Sequence, residues 1–167
     1  KTNEAYAIAK IVGLKLCEYY NKQFKTSYLT LMPCNLYGPN DNFDLQNSHF
    51  IPALIRKIVK AKKLKSKTVE IWGTGNPKRE VMHVDDLSSA IYFIINKKFK
   101  KDKRLLKYLN KNSLINVGSG KEYLIKEFAK KVAKVVDCKL RFKFNKSFPD
   151  GTLRKILDSS FINKLGW

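Results

Sequence analysis

Ser27-Tyr28-Leu29-Thr30-Leu31-Met32-Pro33-Cys34-Asn35-Leu36-Tyr37-Gly38-Pro39 is the stretch on which the reading of the fold turns. Ser27 to Met32 has the apolar content of a strand in a buried, parallel position. Pro33 to Pro39, rich in Pro, Asn and Gly, reads as the loop at that strand's carboxyl end. Ligands of open α/β sheets bind outside the carboxyl ends of strands. Pro33, Cys34, Asn35 and Leu36 are therefore candidates to border a cofactor or substrate. A plain turn accounts for the same residues equally well.

Upstream, Glu4 to Lys22 reads as a helix. At ~100° per residue, Ile8, Val12, Leu16 and Tyr19 form an apolar stripe expected to face a core. Tyr6, Lys10, Gly13 and Cys17 fall on another face. Residues at i and i+4 are neighbours on a helix, so the Tyr6 phenol and the Lys10 ammonium point into one space. A nearby cation favours phenolate over phenol, and a tyrosine so tuned can act as acid or base on a hydroxyl or carbonyl. The spacing also arises by chance in helices that do no chemistry.

Downstream, helices and strands alternate, which predicts an α/β fold. Ser48 is the expected N-cap of a helix from Phe50 to Lys63, with His49 at its entrance. Val69–Trp72 reads as a strand and Gly73-Thr74-Gly75-Asn76-Pro77 as a turn too short in glycine to match a phosphate loop. Arg79 precedes a short strand ending at His83, and Asp85 and Asp86 open a helix from Leu87 to Ile95. Residues 96–113 are lysine-rich, a solvated excursion or an extended helix end. Leu114–Val117 is a strand, Gly118-Ser119-Gly120 a tight turn, Leu124–Val136 a helix, Leu140–Phe144 a strand, and Pro149-Asp150-Gly151 a turn.

Composition narrows the partners. The chain has 167 residues, 44% of them hydrophobic, enough for an ordinary core. No apolar run is long enough to span a bilayer, and Lys1-Thr2-Asn3-Glu4 lacks the apolar segment of a secretory signal. Cys17, Cys34 and Cys138 are scattered and, with His49 and His83, make no zinc spacing. A reduced, cytoplasmic protein without metal or membrane partner is expected. The net charge of +20 would attract nucleic acid, acidic membranes or phosphorylated small molecules. The lysines are spread without a dense block, and aromatic and basic residues form no stacking pattern, so nucleic acid is not the expected partner.

Taken together these stretches resemble one family, the extended short-chain dehydrogenase/reductases acting on nucleotide sugars. The resemblance rests on Tyr6-x-x-x-Lys10, Pro33 to Pro39, Asn47-Ser48-His49, Trp72-Gly73-Thr74-Gly75, Arg79-Glu80, His83-Val84-Asp85-Asp86, Asn116 to Gly120 and Pro149-Asp150-Gly151-Thr152. It covers essentially the whole chain. It implies the C-terminal portion of a Rossmann-type NAD(P)-binding enzyme with a small α/β substrate domain. Residues 1–36 and about 84–118 would belong to the dinucleotide-binding domain, about 37–83 and 119–167 to the substrate-binding domain. The Gly-rich cofactor loop, catalytic serine and acid/base cysteine of the family's N-terminal half are not found, so the isolated chain is expected to be inactive.

The resemblance also implies a reaction: GDP-4-keto-6-deoxy-mannose is epimerised at C3 and C5 and reduced at C4 with NADPH. By resemblance, Tyr6 donates to O4, Lys10 lowers the tyrosine's pKa and holds the nicotinamide ribose, and His49 reprotonates the sugar ring. Pro33, Cys34, Asn35 and Leu36, with Tyr6, Lys10 and His49, would contact NADP(H). Lys57, Trp72, Arg79 and Asp150 would contact the GDP-sugar, Lys57 standing where relatives carry arginine. A homodimer is implied for the complete enzyme. Another nucleotide-sugar epimerase, reductase or dehydratase of the family, or an inactive basic fragment binding nucleic acid, remains the alternative.

Overall fold

The computed structural model describes residues 4–45 and 47–167, and it divides the chain into two compact units. The first comprises the chain up to Cys34, Asp85–Gly118 and Leu157–Trp167. The second comprises Asn35–Val84 and Ser119–Ile156. The sequence placed 119–167 in one piece; Leu157–Trp167 instead packs with the first unit, because Ile162 and Leu165 are buried there.

In the first unit, α1 (Glu4–Phe24) leads to β1 (Thr30–Pro33), which pairs in parallel with β5 (Leu114–Val117), Thr30 opposite Leu114 and Pro33 opposite Val117. The parallel pairing is as expected, but the strand starts at Thr30 rather than Ser27. The Asn21 side chain takes the residues before it: its Nδ2 donates to the Tyr28 carbonyl at 2.8 Å and its Oδ1 accepts from the Tyr28 amide at 2.7 Å. Nor is β1 fully buried, Met32 being exposed.

The apolar stripe of α1 departs further from expectation. Ile8, Val12, Leu16 and Tyr19 are each at least half exposed, and no residue of α1 is buried. The sheet of this unit has two strands among the described residues, and no apolar layer there covers the stripe.

Three helices complete the unit: α3 (Val84–Phe99), α4 (Lys103–Leu109) and α6 (Ser160–Leu165). The helix α4 lies inside the lysine-rich stretch. Asp102 caps it, its carboxylate accepting from the amides of Arg104 and Leu105. Leu105 is fully buried, as are Ile115 and Val117 of β5 and Ala90 of α3.

The second unit holds α2 (Phe50–Lys63), α5 (Ile125–Val135), the parallel pair β3 (Thr68–Trp72) and β7 (Arg141–Asn145), and a further sheet. In that sheet β4 (Lys78–His83) pairs in parallel with β2 (Asn35–Tyr37) and β8 (Arg154–Lys155) and antiparallel with β6 (Glu122–Leu124). Ile51 and Leu54 of α2 and Phe128 and Ala129 of α5 bury against Ile71 of β3; Ile58, Ala61, Val69 and Ala133 continue the layer. The i, i+3, i+4 spacing of these residues is what makes both helices amphipathic.

Two local expectations are corrected here. Pro33–Pro39 is not a free loop. The chain leaves β1 at Pro33, the Cys34 amide bonds to the Val117 carbonyl at 2.9 Å, and Asn35–Tyr37 then form β2. The N-cap of α2 is His49, not Ser48, with no side-chain cap bond. The Ser48 hydroxyl is buried without a hydrogen-bond partner among the described residues.

Candidate functional site

Tyr6 and Lys10 lie one turn apart on α1, with the Lys10 Nζ 5.4 Å from the centroid of the Tyr6 ring. That is the proximity the spacing predicts. Tyr6 is 68% exposed, and neither its hydroxyl nor the ammonium has a hydrogen-bond or carboxylate partner among the described residues. Pro33 and Cys34 belong to the same unit, at the carboxyl end of β1. Asn35 and Leu36 belong to the second unit as β2, and His49 stands exposed at the start of α2.

The four residues expected to meet a GDP-sugar are all in the second unit, Lys57 against Trp72, and Arg79 and Asp150 both engaged with the turn and segment that follow. Lys57 reaches across from α2, its Nζ 4.8 Å from the centroid of the Trp72 indole and 3.2 Å from the Glu70 carbonyl it donates to. Trp72, at the carboxyl end of β3, stacks on Phe148 with ring centroids 4.3 Å apart and planes 9° from parallel. Asp150, two residues on, accepts from the Thr74 amide at 2.9 Å and from the Thr74 hydroxyl at 2.5 Å. Arg79 donates from Nη1 to the carbonyls of Thr152 and Lys78. The segment Ser147–Thr152 is thus a strap over the turn after β3; it is irregular rather than the turn expected at Pro149-Asp150-Gly151.

The glycines of that turn serve the strap and the core, not an anion. Gly73 has φ +76°, and a Cβ there would meet the Asp150 carboxylate; Gly75 has φ +73°, and a Cβ there would meet the Phe144 ring. Glu80, 1% exposed, accepts from the Gly120 amide at 2.7 Å and so fixes the turn after β5. Beyond the strap, Glu122 of β6 pairs with Arg154 Nε of β8 at 2.8 Å and with Lys78 Nζ of β4 at 3.4 Å.

The electrostatics follow these contacts. The bonds from Thr74 hold the Asp150 carboxyl below the ordinary aspartate range, with the charge of Arg79 adding to the effect. Burial lowers the pKa of Lys57, opposed by the Glu70 charge, and burial lowers that of Arg79, opposed by Asp150. The cluster therefore presents two partly desolvated cations, one aromatic stack and one firmly ionised carboxylate. That set suits a ligand with an aromatic ring and an anionic chain.

Sequence reasoning did not single out Phe148. The signal was an aromatic residue directly before Pro149-Asp150. A concavity of about 210 Å³ elsewhere in this unit, bordered by Tyr37, Asp41, Phe43, Ile55 and His83, contains none of the expected residues.

The sequence matches the NAD dependent epimerase/dehydratase family over residues 1–118. The chain belongs to that family. It is 47% identical over 166 residues to the GDP-L-fucose synthase of Escherichia coli (strain K12), covering 99% of this chain and 51% of that protein. It is 44% identical over 167 residues to the GDP-L-colitose synthase of Yersinia pseudotuberculosis, with the same coverage. Among solved structures, the NADP-bound GDP-mannoheptose C4 reductase from Campylobacter jejuni matches with a TM-score of 0.78 at 33% identity, over 99% of this chain and 55% of that one. The chain spans about half the length of the curated relatives it matches. An epimerase/dehydratase of this family implies a nicotinamide dinucleotide. The unpartnered Tyr6 hydroxyl and Lys10 ammonium fit the hydroxyls of its nicotinamide ribose. The glycine turns at Gly73, Gly75 and Gly120 do not fit its pyrophosphate, since Asp150, Phe144 and Glu80 already engage them.

Among the described residues no helix is long and apolar enough to cross a membrane, and no group of three or more His, Cys, Asp or Glu is placed to hold a metal ion.

Proposed function

We propose that this chain is the C-terminal half of an enzyme that epimerises GDP-4-keto-6-deoxy-D-mannose at C3 and C5 and reduces it at C4 to GDP-L-fucose. The observation that carries the reading is the 47% identity, over 99% of the chain, to a GDP-L-fucose synthase. The linked cluster of Lys57, Trp72, Phe148, Asp150 and Arg79 supports it. Its rings and cations match the base and the pyrophosphate of a GDP-sugar.

The chemistry begins at the ketone. A 4-keto group acidifies the C–H bonds beside it, and loss of a proton gives an enolate whose charge gathers on O4. The Tyr6 hydroxyl donates to O4, stabilises that charge, and gives up its proton when the C4 alkoxide forms. Lys10 favours the phenolate left behind and binds ribose hydroxyls. His49 returns a proton to the sugar ring as general acid. Arg79 meets pyrophosphate oxygens with its guanidinium fork, and Lys57 adds a second cation. When bound, beside Pro33, Cys34, Asn35 and Leu36, NADPH supplies the hydride for C4. The complete enzyme is a cytoplasmic homodimer.

The test is a complete enzyme built by joining this chain to the N-terminal half of a relative and carrying His49→Ala or Tyr6→Phe. His49→Ala is expected to abolish solvent deuterium uptake at C3 and C5 more than it slows hydride transfer. Tyr6→Phe is expected to slow both. Undiminished deuterium uptake in His49→Ala would overturn the assignment of the ring acid. The similar identity to a GDP-L-colitose synthase favours a second reading, a GDP-linked 4-keto sugar of different ring substitution; uptake at C5 alone would select it.

A further inference from the structure

The face of Trp72 that a nucleobase would use is already covered. Phe148 lies flat on the indole at 4.3 Å and 9°. That is direct ring-to-ring contact and leaves no gap for a third ring. The other group against this ring is the Lys57 ammonium, 4.8 Å from its centroid. A base that is to lie flat on the indole competes with these two groups for the ring.

They are not held equally. Lys57 is half-buried on α2 and anchored by its bond to the Glu70 carbonyl at 3.2 Å. Phe148 is 38% exposed at the start of the strap. The hydrogen bonds near it are backbone or belong to Ser147, whose amide and hydroxyl donate to the Asn145 Oδ1. The rest of the strap is clamped independently, by Asp150 on Thr74 and by Arg79 on the Thr152 carbonyl. The Phe148 ring can therefore leave the indole while the strap stays in place.

We propose that Phe148 is a built-in stand-in for the base, an occupant that the base of an incoming nucleotide must displace from Trp72. This rests on the GDP-sugar reading of the site. Phe148 then lowers the affinity for every base by the same displacement cost, which cancels from the ratio between two nucleotides. Any preference for a two-ring purine over a pyrimidine comes from the stack that the base itself makes on the indole. The residue thus sets how tightly a nucleotide is held without touching it in the bound state.

Calorimetric titration of the full chain with GDP, UDP and inorganic pyrophosphate tests this. Phe148→Ala is expected to bind both nucleotides about three- to tenfold more tightly than the unaltered chain, the range a lost stacking competitor gives. It should leave the ratio of GDP to UDP affinity, and the binding of pyrophosphate, unchanged. Phe148→Leu keeps the apolar volume and should shift affinity in the same direction, which guards against a folding defect in the alanine variant. Trp72→Ala should weaken GDP binding, and Phe148→Ala added to it should have no further effect. Equal or weaker nucleotide binding by both Phe148 variants, with GDP still bound by the unaltered chain, would overturn the stand-in and leave the site reading intact. GDP binding by neither the unaltered chain nor any variant would overturn both.

Discussion

Thr74 and Asp150, 76 positions apart, are joined twice, amide to Oδ1 at 2.9 Å and hydroxyl to Oδ2 at 2.5 Å. Both bonds are stronger when the carboxylate is ionised. Its folded pKa is depressed by them, so the stabilisation is complete above the unfolded aspartate value near 3.9 and is lost as pH falls through the lower folded value. The melting temperature of the chain should therefore exceed that of Asp150→Asn at neutral pH, and the gap should close below about pH 4. A gap that stays constant through the acid range would contradict this account.

Gly73 is bound to the same pair. With φ +76° and the Asp150 carboxylate where a Cβ would go, Gly73→Ala has to adopt a strained backbone and push the strap aside. The expected cost is ~1–3 kcal/mol in urea unfolding. A loss below about 0.5 kcal/mol, the scale of an ordinary surface change, would show that the strap is loosely held.

Glu80 offers a different kind of test, because it is a fully buried carboxyl whose Oε1 accepts from the Gly120 amide. Glu80→Ala removes both the packing and the acceptor and is expected to cost ~2–4 kcal/mol. Glu80→Gln keeps an acceptor and the volume and should cost less than half of that. Equal losses for the two variants in urea titrations would mean that charge, rather than acceptor geometry, fixes the turn.

Lys57 should reveal itself through pH. Burial lowers its pKa, so its cation is lost at a lower pH than that of an exposed lysine. GDP affinity should accordingly fall in alkaline buffer before the ordinary lysine range is reached. Lys57→Arg, whose charge persists and whose fork suits two phosphate oxygens, should hold its affinity over the same interval. Parallel pH profiles for the two would remove Lys57 from the ligand site.

What the sequence revealed was what short-range pattern controls. The helix Phe50–Lys63 and the strand Leu114–Val117 fall where the sequence reading placed them, and their buried residues repeat at helix and strand spacing. The Tyr6–Lys10 contact follows from helix geometry alone. Position 148 was missed because its partner, Trp72, lies far back in the chain, and the two-residue β8 is too short to leave a pattern. The α1 stripe was misread for a related reason: periodicity shows which side of a helix is apolar, not whether anything covers it. The shift of β1 to Thr30 came from one side chain, Asn21, occupying the backbone groups of Tyr28.

Both units are assembled from separated stretches, and this governs how the chain reaches its fold. The strand β1 cannot pair until Leu114–Val117 exists, and the buried Ile162 and Leu165 arrive later still. The second unit is interrupted by the first and waits for Arg141–Asn145 to pair with β3. Pairings so distant in sequence are slow, because loop closure must come before any contact rewards it. On the ribosome the second unit has all its stretches once Ile156 is made, whereas the first still waits for Leu157–Trp167. For most of its synthesis the nascent chain therefore holds strands with open edges, whose company must be managed until the last segments emerge.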